Sequence, residues 1–218
     1  MKNLRNYWIS ASLLLGLTPS ALADQIALPP ELRAFLERPD QKQAVTYYIT
    51  RQWQTAVSGC ATPKMTALNA IVESPPAYDS GGAPISGQWR LIGHVEGCGQ
   101  NRLLNIEYLF EPDGKMRMIG MAPGSSIADF RLQRDAAMYA SIGMVKLKHR
   151  DCKETNFSDT AFIKYEDATP NSNGGRPWAE EWRVQTCDVT GIVTLHFTPG
   201  AAGTLIRAEV NETRQVNP

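Results

Sequence analysis

Gly81-Gly82-Ala83-Pro84, four residues, then Trp89-Arg90-Leu91 is followed 93 positions later by Gly174-Gly175-Arg176-Pro177, four residues, then Trp182-Arg183-Val184. Working outward, Gln41–Tyr47 (QKQAVTY) aligns with Gln133–Tyr139 (QRDAAMY), and Cys60 with Cys152, both at an offset of 92. Cys98 meets Cys187 at 89, and Phe110-Glu111-Pro112 meets Phe197-Thr198-Pro199 at 87. The landmarks keep one order in both halves: helix, Cys, Gly-Gly-x-Pro, Trp-Arg, Cys, Phe-x-Pro. Collinear matches of Trp, Cys, Gly and Pro predict a tandem duplication, with a first unit over 24–122 and a second over 123–218.

Each unit reads as a helix followed by four strands. In the first, Ala44, Val45, Ile49, Trp53 and Ala56 recur at helical spacing, with Asp40 as the expected cap. A short helix from Pro30 to a stop at Pro39 precedes it. In the second, Leu132, Ala136, Ala140 and Met144 form the stripe, with Ser125 or Ser126 as cap. Strands are expected near 64–73, 88–96, 102–110 and 115–121, and near 160–166, 181–187, 191–197 and 203–210. Leu104, Ile106, Tyr108 and Phe110 show the alternation of a half-buried strand. Glu111-Pro112-Asp113-Gly114 reads as a hairpin turn, and Pro199–Gly203 as a longer version of it. The fold class is α+β: an antiparallel meander packed on a helix in each half, related by a pseudo-twofold axis. This resembles cystatin-like or hotdog-like architecture in element order alone, which implies no function.

Residues 1–23 read as a secretory signal peptide. Lys2 and Arg5 precede an apolar stretch centred on Leu13–Leu17, and Ala21-Leu22-Ala23 supplies the small residues of a cleavage site. Export to the periplasm or beyond is the expectation, with no membrane anchor. The four cysteines then form two disulfides. The repeat selects bonds within each unit, Cys60–Cys98 and Cys152–Cys187. Beyond the leader, 20 basic stand against 22 acidic residues. That balance argues against a nucleic-acid partner and gives no reason for attraction to anionic lipid.

Candidate chemistry is sparse. His94 and Glu96 lie two apart on one strand and share a face. They would suit a metal or an acid–base pair, but no third ligand stands nearby. His149 falls in a basic run, and His196 points away from the buried side of its strand. There is no Gly-x-Ser-x-Gly elbow, phosphate loop or Ca²⁺ loop, and the cysteines are spaced too widely for a zinc site. No cofactor and no metal are therefore expected. Trp89 and Trp182 should be core, with Arg90 and Arg183 on the opposite face, at the surface or meeting an anion across the seam. Trp178 reads as a loop aromatic suited to contact. The stretch Gly93–Gln100 contains about four residues that the second unit lacks. These readings favour a non-enzymatic exported binding protein, with Arg90, His94, Glu96, Trp178 and Arg183 as candidate binding residues. The ligand would be a peptide, a partner protein or a small molecule. The alternatives are an inhibitor or immunity-type protein, or a hydrolase using His94 and Glu96.

Overall fold

Two prolines start the first two helices. Pro30 and Pro39 each occupy a first helical turn, where a missing N–H has no intrahelical role and the fixed φ suits the helix. Helix α1 runs Pro30–Leu36 and α2 runs Pro39–Ala56. Pro39 thus opens α2, and Asp40 lies inside its first turn rather than capping it; no side chain caps α2. This computed structural model describes residues 29–57, 59–60, 63–111, 113–147, 152–166, 175–187 and 189–216. The leader and His149 lie outside the described residues.

Four strands follow α2: β1 (Lys64–Tyr78), β2 (Pro84–Gly97), β3 (Gln100–Phe110) and β4 (Met116–Gly120). They form one antiparallel sheet in chain order. After a connecting segment comes α3 (Phe130–Gly143), then β5 (Asn156–Tyr165), β6 (Trp178–Thr186), β7 (Val189–Gly200) and β8 (Gly203–Ala208), again antiparallel in chain order. A short β9 (Arg214–Val216), absent from the expected strands, pairs with β7 beside Thr190–Ile192. Helix α3 is capped by Asp129, whose carboxylate accepts the Leu132 N–H at 2.8 Å. The two serines expected there do other work: Ser125 Oγ accepts from Phe162 N–H and Ser126 Oγ from Ala128 N–H.

Alternation along the strands builds two cores. In the first, Trp89, Leu91 and Val95 of β2 and Leu104, Ile106 and Tyr108 of β3 face Val45, Ile49 and Trp53 of α2, with Leu32 and Phe35 of α1 closing the end. Gly93 leaves room for Ile49, whose Cδ1 would lie 2.9 Å from an added Cβ. In the second, Trp178, Trp182 and Val184 of β6 and Val193, Leu195 and Phe197 of β7 face Ala136 and Ala140 of α3. There the helix comes closer still: a Cβ on Gly143 would sit 2.4 Å from Val193 Cγ1.

The cysteine pairs close as expected, Cys60–Cys98 and Cys152–Cys187, over separations of 38 and 35 residues. Each contributes about 3–4 kcal/mol in the chain-entropy account. Cys98 and Cys187 both adopt positive φ, 47° and 50°. Each follows the last pair of its hairpin, Gly97 with Gln100 and Thr186 with Val189. Left-handed backbone at that place matches the twist of a two-residue hairpin.

The register corrects three readings. Trp89 pairs with Tyr108, and Trp182 with Val193. From those pairs the first hairpin runs four residues further to its cysteine on each arm, so it is eight residues longer, where about four were expected. The same register sets Tyr108 opposite Val193 in the comparison, an offset of 85, so the two Phe-x-Pro landmarks stand two residues out of step. The turn at Pro199–Gly203 is also the shorter of its kind: Gly200 pairs with Gly203 around Ala201-Ala202, whereas Phe110 pairs with Met116 around five residues.

Candidate functional site

Strand β4 pairs only with Ile106–Phe110, which leaves the edge of β3 open at Leu103 and Asn105. The chain after β4 uses that edge. Met121 N–H donates to Asn105 O at 2.9 Å and Gly124 N–H to Leu103 O at 2.7 Å, while Asn105 Nδ2 donates to Ala122 O and Gly124 O. The same segment then binds the second sheet. Ser125 N–H donates to Thr160 O at 2.7 Å, Thr160 Oγ1 donates to Pro123 O, and Ile127 N–H donates to Glu180 Oε1 at 3.0 Å. At Gly124 (φ +107°) any Cβ would meet Thr160 O at 1.9 Å, so only glycine fits this crossing. Arg102 Nη1 adds an ion pair to Asp159 at 2.8 Å between the halves. Burial holds the Asp159 carboxyl above its ordinary range, against the lowering pull of Arg102.

Beside this crossing the two helices leave a groove of about 520 Å³ at the seam. Its walls come from α2 (Tyr48, Arg51, Gln52, Thr55), the end of β4 (Gly120), the crossing segment (Met121–Pro123), α3 (Phe130, Gln133, Arg134, Ala137) and the β5–β6 side (Thr155–Phe157, Trp182). The volume lies in the range of small-molecule sites. Met121, Pro123, Phe130, Ala137, Phe157 and Trp182 make much of the surface apolar.

Of the expected binding residues, none lines this groove. Arg90 is buried rather than at the surface, because the crossing segment lies over the outer face of its sheet. Its guanidinium donates to Ser126 O at 3.2 Å and Ala128 O at 2.8 Å, and pairs with Glu73 at 3.0 Å. Its Nε stands 3.5 Å from Glu107, whose side chain is fully buried. Burial, helped by the neighbouring Glu73 charge and resisted by Gln88 and Arg90, raises the Glu107 carboxyl to about 7. Arg183 is half-buried beside a small cavity of about 110 Å³ that also touches Asp159. Arg90 meets the crossing segment while Arg183 meets that small cavity, so each has its own surroundings. His94 is half-buried, its Nε2 3.3 Å from Asn69 Nδ2, and Glu96 is exposed. Trp178 opens β6 and is a core residue: it stacks on Phe197 at 4.7 Å and donates Nε1–H to Glu180. His196, expected at the surface, is half-buried between Glu166, which contacts Nδ1, and Glu212, 3.8 Å from Nε2.

Sequence reading missed the groove because its lining is drawn from five separate stretches of chain. It also missed Glu180, a fully buried carboxylate that accepts from both Trp178 and Trp182 indoles and from Ile127 N–H. A glutamate in phase with Trp178, Trp182 and Val184 on β6 was the available signal. Among the described residues no cluster of His, Cys, Asp and Glu suits a metal ion, and no helix is long and apolar enough to cross a membrane. No protein-family model, no curated protein and no solved structure matches the chain.

Proposed function

We propose that the chain is an exported, non-enzymatic binding protein that holds an apolar ligand in the seam groove between its two halves. The groove itself carries this reading: an apolar trough of about 520 Å³ between α2 and α3 is space that close packing would otherwise fill. Export is supported by the leader-like first 23 residues together with the two disulfides. A duplicated α+β unit is supported by the collinear landmarks, by the shared order of one helix and four meandering strands, and by the paired positive-φ cysteines. On that reading the periplasm or the exterior is the site of action, and the unit boundary falls at 122/123, inside the crossing segment.

The test uses a neutral apolar fluorophore, N-phenyl-1-naphthylamine, titrated into the oxidised protein. One site per chain is expected, and it should vanish in Ala137→Trp, which fills the groove, while circular dichroism and the melting midpoint hold. Binding that survives in Ala137→Trp would remove the reading.

One observation favours a second reading, an inhibitor or immunity-type protein with a protein partner. Met138, Ile142 and Val145 lie at helical spacing on the solvent side of α3 and its following turn, 56%, 51% and 64% exposed. A stoichiometric partner captured by the wild type and lost in Ile142→Lys would support it. The hydrolase reading on His94 and Glu96 gains no such observation, since the exposed Glu96 and the Asn69-paired His94 stand apart from the groove.

A further inference from the structure

We propose that the groove selects a long-chain carboxylate, with the hydrocarbon along its floor and the carboxylate between Arg51 and Arg134; this rests on the groove reading above. The argument begins with how the lining polar groups are used. Tyr48 Oη–H donates to Met118 O, Gln52 Nε2 to Asn105 O, and Thr55 Oγ1 to Arg51 O. Gln133 is committed at both ends: its Oε1 accepts from Ala122 N–H and its Nε2 donates to Ala128 O. These side chains serve the protein's own backbone and turn hydrocarbon toward the groove. Gln52 Oε1 is buried without a partner and offers a single acceptor.

Apart from Thr155 and Asn156 on the β5 side, that inventory leaves few side chains to serve a peptide occupant. A peptide brings an N–H and a C=O with every residue, and each one buried without a partner forfeits its hydrogen bond to water. A saturated chain brings neither. Its only polar demand is at one end, and the only charged residues lining the groove are the two arginines, one on each helix. Arg51 has no ion-pair partner among the described residues, and Arg134 has only the exposed Asp135 at 3.6 Å. Guanidinium groups match a carboxylate in shape and charge. The occupant that adds no unpaired polar group of its own is an apolar chain with one terminal anion.

The experiment compares dodecanoate with dodecan-1-ol, which has the same chain without the charge, by displacement of N-phenyl-1-naphthylamine from the oxidised protein. Dodecanoate should bind at least about tenfold more tightly, equivalent to one good charge-assisted contact. In Arg51→Gln/Arg134→Gln its affinity should fall to that of dodecan-1-ol, whose own affinity stays unchanged. Equal binding of the two probes to the wild type, or a dodecanoate preference that persists in the double variant, overturns the carboxylate assignment. In either case, loss of the fluorophore site in Ala137→Trp shows that the groove reading itself still stands. If neither compound displaces the fluorophore and Ala137→Trp leaves its binding intact, both proposals fall.

Discussion

Trp89 and Trp182 occupy matching places in the two halves, and their indole nitrogens meet opposite fates. Trp89 Nε1 is buried with no hydrogen-bond partner among the described residues, and its ring stacks on Tyr108 at 5.0 Å. Trp182 Nε1 donates to Glu180 at 3.0 Å, and the same carboxylate takes Trp178 and the Ile127 backbone. Counting back 93 residues from Glu180 gives Gly87, whose φ is +112° and where a Cβ would lie 2.6 Å from Pro76 Cα. The first half therefore has no room for the carboxylate. The Trp89 indole is held by aromatic packing alone, whereas the Trp182 indole is also held by a carboxylate that binds the crossing segment. The arginines beside the two tryptophans diverge for a related reason. Each lies on the outer face of its sheet; the segment roofs the first, and the second lines a small cavity.

The sharpest way to break the comparison is at Glu180. Glu180→Leu strands three N–H donors in the second core and should destabilise the protein by about 4 kcal/mol, read from urea unfolding. A loss below about 1 kcal/mol would mean that the anchor does not organise this half. Next comes the pair Arg90→Met and Arg183→Met. Removing Arg90 leaves the Ser126 and Ala128 carbonyls without their donor, and takes the cation from the buried Glu107 and from Glu73, which keeps Gln88; the expected loss is about 3 kcal/mol. The half-buried Arg183 should lose about 1 kcal/mol or less. Similar losses at both positions would show that the roof over Arg90 has no energetic weight.

Glu107 gives a test in pH. Its carboxyl is raised to about 7 from an unfolded value near 4.5. Between those values the folded state binds the extra proton, so stability falls as pH rises through the interval and levels off above about 7. The full span corresponds to roughly 3–4 kcal/mol at about 1.4 kcal/mol per pH unit. Glu107→Gln should flatten that slope and gain most over the wild type at pH 8; an unchanged slope would place the titrating group elsewhere. The smallest effect separates the helix starts. Asp129→Ala should destabilise by about 1 kcal/mol through the lost cap on α3, while Asp40→Ala, which caps nothing, should stay within about 0.5 kcal/mol.

Local pattern was enough to read most of the secondary structure. The alternation at Leu104–Phe110, the stripe at Val45–Trp53 and the spacing of the cysteines each report on residues that are near one another, or repeated, in the chain. What was hidden depends on a segment arriving from elsewhere. Arg90 looks like a surface arginine because nothing within its own hairpin covers it, and the roof comes from residues 126–128. Trp178 looks like a loop residue because the preceding Gly-Gly-x-Pro motif suggests a turn, yet β6 begins directly after Pro177. The groove has no local signature at all, since Tyr48, Met121, Gln133 and Phe157 come together only when the two helices are set side by side.

The segment from Met121 to Ala128 has a thermodynamic consequence. The chain has two hydrophobic cores, an arrangement that ordinarily permits two independent melts. Here the connecting residues spend their backbone groups on both sheets, on Leu103 and Asn105 to one side and on Thr160 and Glu180 to the other. Unfolding either half would leave the other with broken hydrogen bonds at its own edge. The join thus acts as shared structure and not as a tether, and a single cooperative transition is the expected result.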